Sequence, residues 1–179
     1  MLRLVFLFAG FLAVQGQLRT SNVTRCIGRG VNASLPINAY VEGCVNTPCR
    51  LPQGSFATVH LAFKAPRPTL RMTTHAQAFA FIVPINYPLG EFTETCIHLN
   101  NSFCPVRKDI VLQNTLQMKI EEAFPVGRPV TFEFRIEDDA DKPIMCVRVP
   151  VVIAKTPTAV NMTTGSAASP TTATAVVSL

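Results

Sequence analysis

Cys26, Cys44, Cys49, Cys96, Cys104 and Cys146 are the residues of this 179-residue chain whose chemistry is most versatile. A thiolate can attack a carbon, hold zinc or close a disulfide. The compartment decides among these. Met1-Leu2-Arg3 gives a short positive start, Leu4 to Val14 is an unbroken apolar run, and Val14-Gln15-Gly16 supplies small residues for cleavage after Gly16. That pattern is an export signal over residues 1–16, too short to span a bilayer as a helix. An even cysteine count behind such a signal predicts three disulfides, which leaves no thiolate for catalysis or metal binding. Six cysteines allow fifteen pairings, and the sequence alone does not choose among them. The other candidates for chemistry are His60, His75 and His98, with no serine elbow motif beside them, and the run Glu137-Asp138-Asp139-Ala140-Asp141. The acidic run lacks the spacing of a calcium loop and has the composition of a hairpin turn. The reading is a non-enzyme without cofactor or metal.

The elements around these residues are written with period two. Val59, Leu61 and Phe63 alternate with Thr58, His60 and Ala62; Leu116, Met118 and Ile120 alternate with Gln117, Lys119 and Glu121; Val130, Phe132, Phe134 and Ile136 alternate with Thr131, Glu133 and Arg135. Each is a half-buried strand. Residues 147–153 form another, and Gln77, Phe79, Phe81 and Val83 mark one face of a further strand whose opposite face carries small alanines. Prolines interrupt the chain at strand ends, and no amphipathic helix of a dozen residues is visible. The predicted class is all-β, an immunoglobulin-like antiparallel β-sandwich with apolar inner faces about 10 Å apart. Periodicity by itself favours a closed aromatic core over a ligand cavity.

Residues 17–154 have the size of one domain. Residues 155–179 hold seven Thr, three Ser and two Pro, a composition that predicts a disordered tail, bare or O-glycosylated. Asn22, Asn32, Asn100 and Asn161 open glycosylation sequons. The net charge is +5, and the loose basic cluster Lys64, Arg67 and Arg71 has no interleaved aromatics. Nucleic acid is therefore excluded as a partner, and a monomer is expected.

Several motifs in order resemble the ML lipid-recognition family, which includes the Niemann-Pick type C two sterol-transfer proteins and the mite group two allergens. They are Cys44-Val-Asn-Thr-Pro-Cys49 followed by Leu51-Pro52-Gln53-Gly54, then Cys104-Pro105-Val106-Arg107-Lys108-Asp109, Phe124-Pro125, Glu137-Asp138-Asp139, and Cys146 leading into Val149-Pro150-Val151. The resemblance implies the pairing Cys26–Cys146, Cys44–Cys49 and Cys96–Cys104. It also implies two splayed sheets with an internal hydrophobic cavity for a sterol or acyl chain, walled by Val41, Phe63, Phe81, Val83, Ile120, Phe124, Pro125 and Phe132. Phe124 stands where the family usually has Tyr.

On this resemblance the expected function is a secreted or lysosomal carrier that takes a sterol, fatty acid or related lipid and passes it to a transient membrane or lipid-transfer partner. Lys64, Arg67 and Arg71 are candidates for contact with anionic lipid. The alternatives are recognition of microbial glycolipids in innate immunity and a closed-core glycoprotein whose tail is the working part.

Overall fold

The computed structural model describes residues 18–80 and 83–156. Residues 1–16, read above as an export signal, Phe81, Asn161 and nearly all of the Thr-rich tail lie outside the described residues. Eight strands run in the order β1 (Asn38–Val41), β2 (Cys49–Pro52), β3 (Phe56–Lys64), β4 (Met72–Ala80), β5 (Val83–Tyr87), β6 (Val111–Lys119), β7 (Pro129–Asp138) and β8 (Pro143–Ala154), with three short 3₁₀ turns and no α-helix among the described residues. They build a three-stranded sheet, β1-β3-β6, and a five-stranded sheet, β2-β8-β7-β4-β5. The sandwich expected from the alternation is present.

Strict alternation puts the predicted inner residues on facing surfaces. In the small sheet Val59 pairs with Leu116 and Phe63 with Leu112; in the large one Phe132 pairs with Ala78 and Val149. Phe63, Phe132 and Phe134 are among the largest fully buried side chains, each contributing roughly 1.5–3 kcal/mol through removal from water. The expectation of antiparallel pairing holds for every pair of named strands except β2–β8, which is parallel. β2 is joined to β8 by no hairpin, so no tight turn forces the pair to run antiparallel.

All three disulfides pair as the resemblance implied. Cys44–Cys49 clamps the crossing from β1 to β2. Cys96–Cys104 tightens the segment that carries the chain from β5 to β6. Cys26–Cys146 spans 120 residues and fastens the amino-terminal segment to β8, removing roughly 5 kcal/mol of unfolded-chain freedom in the entropic account. That segment adds backbone bonds of its own: Thr24 and Arg148 exchange two at 2.9 Å, and Cys146 N–H donates to the Ser34 carbonyl at 3.0 Å.

Two expectations need correction. Residues 77–83 are not one strand: β4 ends at Ala80, β5 starts at Val83, and the two pair antiparallel with Ala80 opposite Val83. The face toward the core is the alanine face, with Ala76 and Ala78 buried, while Phe79 lies on the outer side with the Arg148 guanidinium 4.2 Å above its ring. Glu133 and Arg135, read as the solvent side of β7, are only 2% and 6% exposed. Arg148 Nε donates to Glu133 and Arg135 Nε to Glu137, both at 2.8 Å, so the buried charges on this outer face are paired.

Candidate functional site

The space between the sheets is the natural place to look for a ligand site, and among the described residues it is nearly filled. A seam of about 10 Å³ runs between Val41, Ala57, Val59 and Met118 of the small sheet and Leu51, Phe132, Phe134, Val149 and Val151 of the large one. Every side chain in that wall is apolar, and the strands hold them there by parity alone. The splayed lumen implied by the resemblance is drawn shut, because the inner side chains of the two sheets pack against one another.

One edge of the sandwich is closed by aromatic rings. Phe124, in the loop between β6 and β7, packs edge-on against Phe132 at 5.7 Å between centroids and stacks on Tyr87 at 6.0 Å; Tyr87 meets Phe132 edge-on at 6.2 Å. Tyr87 belongs to β5 of the large sheet, and its hydroxyl donates to the carbonyl of Lys119 at the end of β6 in the small sheet. This side-chain latch joins the two sheets where no backbone ladder does. Burial first, then the Glu121 carboxylate, pushes the Tyr87 phenol up to about 12, so it stays a donor at neutral pH.

The loop bearing Phe124 is anchored from beneath. Gln53 Nε2 donates to the Phe124 carbonyl at 2.6 Å and to the Glu122 carbonyl at 3.1 Å. Gly54 N–H donates to Ile120 O, and Ile120 N–H to Ser55 O, both at 2.7 Å. Gly54 adopts φ +72°, the left-handed region where glycine carries no penalty. Beside the rings opens a groove of about 550 Å³ lined by Phe79, Ala80, Pro125, Arg128, Pro129, Val130 and Thr131. That volume lies within the roughly 300–1,000 Å³ of small-molecule sites.

Of the expected wall residues, Val41 and Phe132 line the seam, Phe124 packs edge-on against Phe132 at its border, and Pro125 lines the groove. Ile120 and Phe63 are buried in the same core but outside the seam lining. Val83 is 62% exposed. It shares the inner face, opposite Ala80, but lies at the first position of the edge strand β5, where the described residues leave it open to solvent. Phe81 lies outside the described residues. Sequence reading left out of the wall Leu51, Ala57, Val59, Met118, Phe134, Val149 and Val151, although the period-two parity that placed Phe132 inside marks most of them equally. It also missed Gln53 as the anchor of the Phe124 loop; only its place in the Leu51-Pro52-Gln53-Gly54 motif pointed to it.

Groups with catalytic potential are otherwise engaged. His60 bonds Glu42 at 2.8 Å and Thr115 at 3.0 Å, His75 pairs with Glu137 at 3.0 Å, and His98 bonds the Glu91 carbonyl at 3.1 Å. Cys26, Glu133 and Cys146 lie close together, but both sulfurs are consumed in the disulfide and offer no thiolate. The acidic run is a hairpin turn, with Asp138 Oδ1 accepting from the N–H groups of Ala140 at 2.9 Å and Lys142 at 2.8 Å. Burial alone would raise the Asp138 carboxyl; those two N–H groups and Arg67 overcome it and hold the group below its usual range. Of the basic cluster, Lys64 is paired with Asp109 and Arg67 with Asp138, which lowers its pull on anionic lipid.

The ML domain family model matches residues 20–153. This chain belongs to the ML family. Among curated proteins, the ML relative named NPC intracellular cholesterol transporter 2 from Danio rerio is 23% identical over 119 residues, covering 65% of this chain and 76% of its own length. Among solved structures, a Niemann-Pick type C2 protein from Japanese carpenter ant superposes with a TM-score of 0.61 at 20% identity, covering 73% of this chain and 97% of that one. That likeness bears on the fold. The ML family is one of lipid-binding proteins, not of enzymes.

Proposed function

We propose that this ML protein is an exported carrier that holds a sterol or related lipid between its sheets and hands it to a membrane or another carrier. The observation that supports it most directly is the wholly apolar seam closed by three aromatic rings and one side-chain hydrogen bond. Rings and a single hydroxyl can swing aside without disturbing a backbone ladder, so the sheets can part along the β5–β6 edge while the disulfides hold the rest. A lipid resting in the 550 Å³ groove beside Pro125 would then exchange water for hydrocarbon walls, gaining roughly 25 cal/mol per Å² buried. With about thirty heavy atoms and about 0.3 kcal/mol per atom, a sterol would bind with on the order of 8–9 kcal/mol, micromolar or tighter. The relative named as a cholesterol transporter makes a sterol the first ligand to try.

Titration of the purified mature chain with a fluorescent sterol tests this. Saturable 1:1 binding at micromolar or lower concentration, with competition by cholesterol, is the expected result. No saturation up to about 100 μM, together with no lipid recovered from the protein purified from its source, would overturn it. Competition by lipopolysaccharide in preference to cholesterol would shift the reading to glycolipid recognition.

A further inference from the structure

We infer that Asn114 makes the far end of the interior a hydrogen-bonding subsite, selecting a lipid that carries a hydroxyl at the end inserted first. This rests on the reading of the seam as a lipid site. On β6 the inward positions are Leu112, Asn114, Leu116 and Met118, and Asn114, opposite Leu61, is 1% exposed. The other inward residues of β3 and β6 are apolar. An amide in that row disfavours folding unless both of its ends are satisfied.

One end is satisfied. Nδ2 donates to the His98 carbonyl at 3.1 Å, and because that partner can only accept, the orientation of the amide is fixed. Oδ1 is then buried with no partner among the described residues. Across the interior, on β4, the buried Thr74 hydroxyl meets the buried Thr95 hydroxyl at 2.7 Å. Two hydroxyls sharing one hydrogen bond leave one proton free to donate. Thr95 and His98 are the two ends of a single 3₁₀ turn, so this turn carries polar contacts to both sheets at the same end of the sandwich.

The interior is therefore graded. Its wall is entirely apolar in the seam, and an acceptor waits farther along. Met118 lines the seam, and Asn114 lies four positions before it on the same strand face, about 13 Å away at roughly 3.3 Å per residue. A lipid that passes Phe124 and runs parallel to the strands brings its leading end toward Oδ1. A hydrocarbon end leaves that oxygen bare, whereas a hydroxyl donates to it. Sites built to pair a hydroxyl reject the analogue that lacks one, because the buried partner is then stranded.

The test compares two sterols that differ only in a hydroxyl on the side-chain terminus, cholesterol and 25-hydroxycholesterol, by competition on the full mature chain. The native protein should bind the hydroxylated sterol at least about tenfold more tightly. In Asn114→Leu that ratio should fall to about one while cholesterol binding persists; Asn114→Met serves the same purpose where the leucine variant fails to fold. Equal affinities in the native chain would overturn the proposal and leave lipid carriage intact, as would an unchanged ratio in the variants. Failure of both sterols to bind would overturn the carrier reading along with it.

Discussion

Replacing Tyr87 by phenylalanine removes one oxygen from the edge where the sheets are proposed to part, and the structure limits what that can do. The hydroxyl donates to the Lys119 carbonyl across the two sheets; the ring keeps its contacts with Phe124 and Phe132 at 6.0 and 6.2 Å. A neutral, solvent-exposed hydrogen bond is worth about 1 kcal/mol net at most. If the latch breaks on the way to the open state, the barrier to opening falls by about that much, a factor of roughly five in rate. Stopped-flow transfer of a fluorescent sterol from the protein to vesicles would read this directly, beside urea unfolding to measure stability. Tyr87→Phe should release sterol about three- to fivefold faster and lose about 1 kcal/mol of stability at most. An unchanged release rate accompanied by that stability loss would refute the latch, since the bond would then contribute to folding but not to opening. The pH dependence follows from the raised phenol. A Tyr87 pKa near 12, above the ordinary value near 10, gives a contribution fully present below about pH 10 and lost as pH rises through 12. Tyr87 should therefore impose no pH dependence on release between about pH 5 and 8.

Three other perturbations probe the frame around the site. At Gly30 an added Cβ would lie 2.7 Å from Cys146 Sγ and 2.7 Å from Cys26 Cβ, so Gly30→Ala should destabilise by about 1–3 kcal/mol in urea unfolding; native stability would show that the amino-terminal segment does not lie against this disulfide. Removing the 120-residue bridge by Cys26→Ser with Cys146→Ser should cost roughly 5 kcal/mol, against about 2 kcal/mol for the short Cys44–Cys49 loop. Equal unfolding midpoints for the two double variants would contradict that order. Asp138, whose carboxyl is depressed by two N–H groups and Arg67 against the opposing effect of burial, contributes stability above the ordinary carboxylate range that is lost as pH falls through its lowered pKa. Asp138→Asn should flatten that acid limb of the stability curve, and an unaltered limb would show that the turn is held by other bonds.

Alternation at Val59–Phe63, Leu116–Ile120 and Val130–Ile136 made the strands and their buried sides legible, because a half-buried strand must repeat every second residue. The same rule says nothing about neighbours. It could not reveal that β2 pairs parallel with β8, nor that the chain reverses between Ala80 and Val83, since both depend on contacts between distant segments. It misjudged Glu133 and Arg135 for a related reason: polarity marks them as facing away from the core, and only the amino-terminal segment bonded along β8 at Arg148 and Cys146 covers that outer face.

By itself the sequence determined that this is an all-β chain with an even set of cysteines suited to disulfides, and its ordered motifs placed it among lipid-recognition domains. Those are properties of local period and spacing, which residues carry wherever they lie. Tertiary structure decided how the site is shut. Tyr87, Lys119, Phe124 and Phe132 meet only because two sheets of unequal width are laid face to face. Closure of that edge depends on interatomic distances across the sheets, and no one-dimensional pattern encodes them.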